Sequence, residues 1–243
     1  MAVIINHKFN NKNQLEKQLN TILFNNHALI DLDKCRSKMI SKDKDIYNKD
    51  ILLNEKNEQV MMEWEKPYME ECINTLQPHG DVLEIGFGLG YSANQIRKFD
   101  IKSHTIIESD DTIYTDLTTW ADKKTIPIKG YWQKELSKLG KFDCIFFDDF
   151  ALLNSNPDKD YRIFDFYYEI AKDHVKENTR FVFYCDTEIY WPVNPWIKYE
   201  CKEYKTNIPS NCNYPKLTNM YIPLITFVKN NLNLKKIYIG INL

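Results

Sequence analysis

Three glycines alternate with larger residues at the end of the first apolar run in the central part of the chain. The apolar run begins at Val82, and a helix is predicted to begin at Tyr91, so the glycines lie in a strand-to-helix loop. Glycine lets the backbone turn tightly and approach a ligand that a Cβ atom would exclude. The segment therefore predicts a small-molecule site, and its residues are Glu84, Ile85, Gly86, Phe87, Gly88, Leu89 and Gly90.

The spacing of these glycines distinguishes two classes of cofactor. Dinucleotide-binding proteins use G-x-G-x-x-G, which requires glycine at the position that Tyr91 occupies here. A dinucleotide site also uses the helix N-terminus to bind a pyrophosphate, which S-adenosylmethionine does not have. The acid of the E-x-G-x-G pattern, Glu84, is expected to meet the cationic amino-acid end of S-adenosylmethionine. The loop therefore favours S-adenosylmethionine over NAD.

A second acidic residue supports this prediction. Glu108 follows the next apolar run, His104–Ile107, about 20 residues after Gly88. An acid at this place can accept hydrogen bonds from both hydroxyls of a ribose. The alternative is a structural turn beside a solvent-exposed carboxylate, which is less favoured because the two features occur in register.

From residue 81 onward, short apolar runs alternate with helix-like segments, which is typical of βαβ units in a parallel sheet. Tyr221–Val228 and Lys236–Ile241 are predicted to add an antiparallel edge hairpin. The predicted fold is α/β with a doubly wound, mostly parallel sheet, which binds ligands at the carboxyl ends of its strands. The predicted strands are Val82–Ile85, His104–Ile107, Thr125–Ile128, Phe142–Phe147 and Phe181–Tyr184, and the helices are about 91–99, 111–121, 132–139 and 161–176.

The composition indicates one globular domain with a small partner. The 243 residues are 43% apolar and carry a formal charge of -2, which gives no field to attract nucleic acid or an anionic membrane. No apolar run reaches the ~18 residues of a membrane span, and no signal peptide is evident, so a cytoplasmic location is expected. The six cysteines form no C-x-x-C pair and the five histidines are scattered, so no metal site is predicted.

The segment before the glycine loop carries a closer match. It reads V-M-M-E-W-E-K-P-Y-M from Val60 to Met69. It resembles the V-M-x-x-W-E-x-P-Y-M segment of the guanidinoacetate N-methyltransferases and the related arginine N-methyltransferases. The similarity covers about 55–228 and continues at Leu83–Gly88, Ile106–Glu108, Pro127–Trp132 and Phe142–Asp148, with weaker echoes at Tyr184–Cys185, Pro209–Cys212 and Pro223–Leu224.

The resemblance implies a Rossmann-like class I S-adenosylmethionine-dependent methyltransferase in residues 59–243. Residues 1–58 are polar and lysine-rich, and are expected to form an extension without a strong strand that is a candidate lid over the cofactor. The resemblance also implies cofactor contacts from Met61, Met69, Phe87, Gly88, Leu89, Gly90, Tyr91, Ser92, Glu108, Ser109, Trp132 and Gln133. It assigns the guanidino group of the substrate to Glu65 and Asp148, which are the predicted catalytic residues.

Two carboxylates suit methyl transfer to a guanidino group. A guanidinium has a pKa above about 12 and delocalised lone pairs, so it is a poor nucleophile. Charge-assisted hydrogen bonds donated to Glu65 and Asp148 can orient one nitrogen toward the sulfonium methyl, and Asp148 is the candidate proton acceptor. The alternatives are that Asp148 or Asp149 caps a helix, and that Glu65 pairs with Lys66 or a surface arginine.

The loop after the fifth predicted strand departs from the family pattern. It contains Asp186, Thr187 and Glu188, of which Thr187 and Glu188 are expected to contact the substrate. Acids here would repel the carboxylate of guanidinoacetate. The loop therefore favours a cationic or larger guanidine, such as arginine, agmatine or an arginine side chain in a protein. The tail at 229–243 extends beyond the family's usual end and has no functional account.

Three other functions stay open on the sequence. They are methyl transfer to another small amine or an oxygen, catalytically silent S-adenosylmethionine binding, and NAD-dependent oxidoreduction, which the glycine spacing disfavours. Trp132 is equally compatible with a cofactor contact and with core packing. Trp191 and Trp196 are interpreted as a packed loop. The sequence does not indicate an oligomeric state.

Overall fold

The computed structural model describes residues 40–149, 162–189, 191, 195–213 and 219–228. The strands of the described residues are β1 (Ser41–Lys44), β2 (Asp50–Leu53), β3 (Gln59–Met62), β4 (Gly80–Ile85), β5 (Ile101–Glu108), β6 (Thr125–Lys129), β7 (Phe142–Phe147), β8 (Val175–Phe183), β9 (Ile197–Lys205) and β10 (Asn219–Phe227). The helices are α1 (Lys66–Leu76), α2 (Tyr91–Ile96), α3 (Asp111–Trp120), α4 (Trp132–Glu135) and α5 (Arg162–Asp173), with short 3₁₀ turns at Glu63–Glu65 and Leu136–Lys138.

Seven strands form one sheet in the order β6-β5-β4-β7-β8-β10-β9. Strands β4 to β8 are parallel, and β10 runs antiparallel between β8 and β9. Ile85 of β4 lies opposite Ile107 of β5 and Phe147 of β7, so these three strands end at one edge. The predicted doubly wound, mostly parallel sheet is confirmed, and it brings the segments after β4, β5 and β7 together.

Two hydrophobic cores lie on opposite faces of this sheet because side chains alternate along a strand. Val82, Cys144 and Phe146 pack with α1, α2 and α3 on one face. Leu83 and Phe147 pack with α5 on the other face. Both faces of the central strands are therefore buried, which explains why their sequences are continuous apolar runs.

The predicted antiparallel edge is confirmed, and it is formed by β10 and β9. Tyr221–Val228 corresponds to β10, but β10 pairs with Ile197–Lys205, and Lys236–Ile241 lies outside the described residues. Strand β9 was missed because most of its residues are exposed and polar. Lysines and glutamates are common on edge strands, where they discourage pairing with other chains.

The expectation that residues 1–58 lack a strong strand is wrong for its described part. Strands β1 and β2 form a hairpin there, and β3 pairs with β2 to complete a three-stranded sheet, which we call the meander. The hairpin turns at Asp45, whose side chain accepts the N–H groups of Tyr47 and Lys49, and Asn48 has a φ of 59°. Asn and Asp favour such turns, so the available signal was turn chemistry rather than apolar residues. Residues 1–39 lie outside the described residues.

The predicted helices are present with shorter ends, and α1 was not predicted as a helix. Helix α1 begins at Lys66 with Pro67 in its first turn, where the missing N–H of proline costs nothing. Its buried side is formed by Tyr68, Met69, Cys72, Ile73 and Leu76. Among the described residues, no helix has the length and apolarity needed to cross a membrane.

Candidate functional site

The glycine loop lies where β4 passes into α2. Gly86 has a φ of +84°, and a Cβ atom there would lie 2.1 Å from the backbone oxygen of Asp148. Gly88 has a φ of +52°, and its Cβ atom would lie 2.6 Å from Sδ of Met61. Both positions need glycine, because the left-handed conformation and the close approach each disfavour a side chain. The loop is thus held directly against Asp148 on one side and Met61 on the other.

Glu108, at the end of β5, holds this loop in place. Its carboxylate accepts the backbone N–H groups of Phe87 at 2.9 Å and of Asp110 at 2.7 Å. Burial raises the pKa of Glu108, and these hydrogen bonds oppose that shift. A carboxylate oxygen has more than one acceptor site, so the same group can also receive hydroxyl donors from a ligand beside the loop.

Glu84 lies differently from the prediction. Its side chain is completely buried, and Oε1 accepts a short hydrogen bond from the Ser92 hydroxyl. Nε2 of His104 lies 2.7 Å from Oε2, at an angle outside hydrogen-bond geometry. The carboxylate therefore faces the protein interior and joins β4, β5 and α2. This geometry does not support direct contact with the amino-acid end of a cofactor, because a fully buried carboxylate offers it no surface.

The meander covers the glycine loop from the other side. Sδ of the buried Met61 in β3 accepts the N–H of Leu89 at 3.3 Å. The N–H of Ile40 is donated to Asp110, and Lys42 forms an ion pair with Asp116 at 2.7 Å. The meander thus extends from the glycine loop to the start and middle of α3.

Glu65 closes the turn between β3 and α1. Its side chain is buried and accepts the N–H of Met62 at 2.8 Å. Burial raises the pKa of Tyr91, and the negative charges of Glu63, Asp50 and Glu65 add to that shift. Glu65 therefore lies in the neighbourhood of Tyr91, at the start of α2, and so beside the glycine loop.

Tyr68 attaches the start of α1 to the carboxyl end of β8. Its hydroxyl donates to the carbonyl oxygen of Tyr221 at 2.7 Å and accepts the N–H of Cys185 at 2.9 Å. Its ring is fully buried and lies edge-on to Tyr184 with centroids 5.5 Å apart. Since Glu65 immediately precedes α1, this attachment holds Glu65 at the carboxyl edge of the sheet.

Asp148 lies at the same edge, one residue beyond β7. Its N–H is donated to the carbonyl oxygen of Ile85 at 3.0 Å, and its side chain is half-buried. Burial raises the pKa of the Cys72 thiol, and the nearby charge of Asp148 contributes to that shift. Asp148 therefore lies on the α1 face of the sheet, as Glu65 does.

Asp149 and Trp132 form a separate contact on the other face. The indole Nε1–H of Trp132 is donated to Oδ2 of Asp149 at 2.7 Å. The Trp132 ring packs edge-on against Phe147 and Phe166, with centroids 6.1 Å and 5.2 Å away. The core-packing alternative for Trp132 is therefore the one that the geometry supports. Residues 150–161, where a helix capped by Asp148 or Asp149 would begin, lie outside the described residues.

Comparison with known proteins identifies the family. The family model described as guanidinoacetate N-methyltransferase matches residues 28–199, which is more than half of the chain. The chain belongs to the guanidinoacetate N-methyltransferase family. This is a family of S-adenosylmethionine-dependent methyltransferases, as the sequence predicted, and S-adenosylmethionine is the cofactor that membership implies.

Curated relatives share only part of their length with this chain. Protein arginine N-methyltransferase 2 of Candida glabrata is 35% identical over 119 residues, which are 43% of this chain and 29% of the relative. The protein of the same name from Kluyveromyces lactis is 33% identical over the same shares. The chain thus spans less than a third of the relatives that it matches.

Solved structures resemble the fold at low sequence identity. A putative S-adenosylmethionine-dependent methyltransferase from Streptococcus mutans has a TM-score of 0.52 and 11% identity, and covers 73% of this chain and 52% of its own. Spermidine synthase from Thermotoga maritima has a TM-score of 0.50 and 17% identity, and covers 81% and 74%. At these identities the likeness concerns the fold alone.

Two buried polar atoms fit the cofactor of the guanidinoacetate N-methyltransferase family. Oη of Tyr91 and Oε1 of Gln133 are buried and have no hydrogen-bond partner within the described residues. Both residues were predicted to contact the cofactor, and buried polar atoms are normally satisfied, so the Tyr91 hydroxyl can donate to or accept from a bound molecule and Gln133 Oε1 can accept from one. Tyr91 directly follows the glycine loop that Glu108 holds, so these residues fit S-adenosylmethionine.

The other predicted cofactor residues lie around the same loop with different exposure. Met69 of α1 is almost fully buried and faces the core. Ser92 is buried, and its hydroxyl donates a hydrogen bond to Oε1 of Glu84. Ser109 is half-buried, and its carbonyl oxygen accepts a short hydrogen bond from Lys129. Phe87 is buried and packs against Trp120 with centroids 5.4 Å apart. Met69 and Ser92 therefore support the loop from within, while Ser109 continues the edge beyond Glu108.

The loop after β8 places its three polar residues in different environments. Glu188 is exposed. Burial raises the pKa of Tyr221, and the negative charge of Glu188 adds a smaller shift in the same direction. Thr187 is half-buried, and its hydroxyl donates to Oδ1 of Asp186 at 3.1 Å. The residue that the sequence analysis did not assign, Asp186, is thus the one held inward. Its place two residues beyond Tyr184 was the signal that could have identified it.

Trp191 is part of a packed loop, as predicted. It is buried and stacks on Phe164 with centroids 5.1 Å apart. It also contacts Tyr167 of α5 and Phe183 of β8. The four aromatic rings of Trp191, Phe164, Tyr167 and Phe183 therefore hold the loop after β8 against the α5 face of the sheet.

Proposed function

We propose that the protein transfers a methyl group from S-adenosylmethionine to a nitrogen of a guanidino group, in a small guanidine or an arginine side chain. The observation that carries the proposal is the convergence of Glu65 and Asp148. They come from distant parts of the chain, yet both lie at the carboxyl edge, on the α1 face, beside the glycine loop. An oxygen acceptor has no need of two carboxylates, whereas a planar guanidinium can donate to both.

The two carboxylates supply orientation and accept the proton. A guanidino nitrogen held by Glu65 and Asp148 is aligned with a methyl carbon on the cofactor side, which removes the entropic cost of alignment. The cofactor, which the glycine loop and Glu108 would hold, would supply a sulfonium-activated methyl group as the electrophile for this nitrogen. Asp148 accepts the proton that the attacking nitrogen loses as the C–N bond forms, and Asp148 later releases this proton to water.

The remaining residues hold the cofactor and exclude water. The glycine loop and Glu108 are the proposed binding surface, with further hydrogen bonds to Tyr91 Oη and Gln133 Oε1. Met61 of β3, which contacts the loop, is proposed to cover the methyl-transfer site from above. The described part of the predicted extension pairs with Met61 through Leu52 of β2 and is proposed to support this cover. Glu84 contributes through Ser92 by fixing the first turn of α2.

The test uses methyl-labelled S-adenosylmethionine with guanidinoacetate, arginine, agmatine and an arginine-rich peptide in parallel. We expect label in at least one guanidine, and a loss of turnover of about 1,000-fold or more in Asp148→Asn at saturating cofactor. The matched control is Asp143→Asn, which removes the same charge at the amino end of the same strand. Its turnover per folded molecule should stay within about three-fold of the unsubstituted protein.

Each alternative predicts a different result. Cofactor binding without label in any guanidine, followed by label in another amine or a hydroxyl compound, would replace the guanidino proposal with the other acceptor class. Cofactor binding without label in any acceptor would identify a silent binding protein. Equal turnover in Asp148→Asn and Asp143→Asn would remove Asp148 from the chemistry.

A further inference from the structure

We infer that Asp186 is a specificity residue that binds a second cationic group of the acceptor, so that the preferred substrate is a guanidine carrying an ammonium group. This inference rests on the proposed function, because it concerns the far end of the same acceptor. It assigns to Asp186 a binding role, separate from the chemistry at Glu65 and Asp148.

Strand register places Asp186 near Asp148. Phe147 of β7 pairs with Phe183 of β8, so Asp148 lies beside Tyr184 and Asp186 lies two residues farther along. Cys185 continues the strand by a bridge to Tyr221. The chain bends at Asp186, and Asp186 and Asp148 both lie just beyond the carboxyl ends of the neighbouring strands β8 and β7. An acceptor that reaches both acids needs a spacer between its two cationic groups.

The segments after β7 and β8 bring the two acids to neighbouring strand ends. Val182 and Tyr184 pack with the core on the α1 face, and Asp148 follows Phe146 of that core by two residues. The N–H of Cys185 is donated to the hydroxyl of Tyr68 in α1, so the residue before Asp186 is attached to α1. Asp186 therefore directly follows a contact with α1, the helix that Glu65 precedes.

Asp186 has an unsatisfied atom. Oδ1 accepts the Thr187 hydroxyl at 3.1 Å, whereas Oδ2 is buried and has no hydrogen-bond partner within the described residues. No lysine or arginine of the described part of the chain forms an ion pair with it. A buried carboxylate oxygen without a donor is costly, and that cost is removed when a ligand donates to it.

The charge of the group favours a cation over an anion. Burial raises the pKa of Asp186, against a smaller opposing effect of the Thr187 hydroxyl, which is the expected behaviour of a desolvated carboxylate. An ammonium group would supply an opposite charge and three donors. A carboxylate in the same place would add a second negative charge beside it. Asp186 thus favours acceptors with an ammonium group by attraction and disfavours acceptors with a carboxylate by repulsion.

The test is a series of acceptors that differ only at one end. Agmatine, butylguanidine and 5-guanidinopentanoate carry an ammonium group, a hydrogen atom and a carboxylate group, respectively, at the end of a four-carbon chain. We expect kcat/KM for agmatine to exceed that for butylguanidine by about 10- to 100-fold, the range of a charge-assisted hydrogen bond, with 5-guanidinopentanoate lowest. In Asp186→Asn the preference for agmatine should fall to within about three-fold, while butylguanidine turnover is retained.

The control variant is Glu177→Gln, in an exposed position near the amino end of β8. It removes the same charge and should keep the preference for agmatine, which separates a local contact from the overall field of the protein. The inference is overturned if Asp186→Asn lowers all three acceptors equally, or if the unsubstituted protein prefers butylguanidine or 5-guanidinopentanoate. In those cases methylation of butylguanidine still supports the proposed function. Failure of the unsubstituted protein to methylate any guanidine would instead reject both.

Discussion

Asp81 and Asp143 lie at the amino ends of β4 and β7, and there they share the Lys176 ammonium, which is 3.1 Å from the first and 2.7 Å from the second. Asp81 also accepts the Ser103 hydroxyl and pairs with Lys102. Burial raises the pKa of Asp81, but these three donors outweigh it and lower the pKa to about 2. At this end of the sheet, acids are neutralised by lysines and contribute to stability.

At the carboxyl ends of the strands, the pKa values of acids shift in the opposite direction. Burial raises the pKa of both Glu108 and Asp186, and these carboxylates accept hydrogen bonds from backbone N–H groups and a hydroxyl. Neither forms an ion pair with a lysine or arginine of the described residues. Their negative charge is therefore available to a ligand at the cost of some stability, which is typical of functional sites. The same type of residue thus stabilises one edge and creates reactivity at the other.

The largest effect in a test of this contrast is expected from glycines at the two edges. Gly86→Ala places a Cβ atom 2.1 Å from the backbone oxygen of Asp148, and Gly80→Ala places one 2.2 Å from Oδ2 of Asp143. Both have positive φ, so each should destabilise the protein by about 1 to 3 kcal/mol in urea denaturation. Turnover per folded molecule should fall about 100-fold or more in Gly86→Ala alone, because only there is Asp148 displaced.

Gly140→Ala is the control for this pair, since nothing lies within 4 Å of its Cβ position. It should leave both properties nearly unchanged. Equal losses of turnover in Gly80→Ala and Gly86→Ala would contradict the separation of the two edges.

A smaller effect is expected from Asp81→Asn. The folded-state pKa of Asp81 is about 2, below the unfolded value of about 4, so the ionised carboxylate stabilises the protein above pH 4. The variant should be less stable at pH 7 by about 1 to 2 kcal/mol, and the difference should disappear as the pH falls from about 4 to 2. Urea denaturation at a series of pH values measures this. A difference that is independent of pH would mean that shape, not charge, is responsible.

The smallest effect is expected for the stability of Asp186→Asn. The raised pKa means that ionisation of Asp186 opposes folding at neutral pH and has no effect below about pH 4, where the unfolded chain is protonated too. The variant should therefore be as stable as the unsubstituted protein at pH 3.5, and equal or more stable at pH 7, by no more than about 1 kcal/mol. Loss of stability at pH 7, as in Asp81→Asn, would place Asp186 among the stabilising acids.

Much of the site could be predicted from local sequence. Gly86 and Gly88 were identifiable because their conformations exclude other residues, and Glu108 because a parallel strand delivers its last residue to the binding edge. Strand β7 was predicted with its observed bounds, Phe142–Phe147, since burial on both faces makes its run continuous. Strand β9 and the meander were missed because their residues are mostly polar and owe their conformation to partners elsewhere in the chain.

The class of fold, the glycine loop and the chemical types available at the strand ends follow from the sequence, because they depend on short-range periodicity and on backbone conformation. The partners of each acid follow from the tertiary structure. It turned Glu84 inward to Ser92 and His104, paired Asp81 with Lys176, and left an oxygen of Asp186 without a partner. These outcomes depend on contacts between residues far apart in the chain. The spacing of residues along one strand does not predict which side chain of another element will lie next to them.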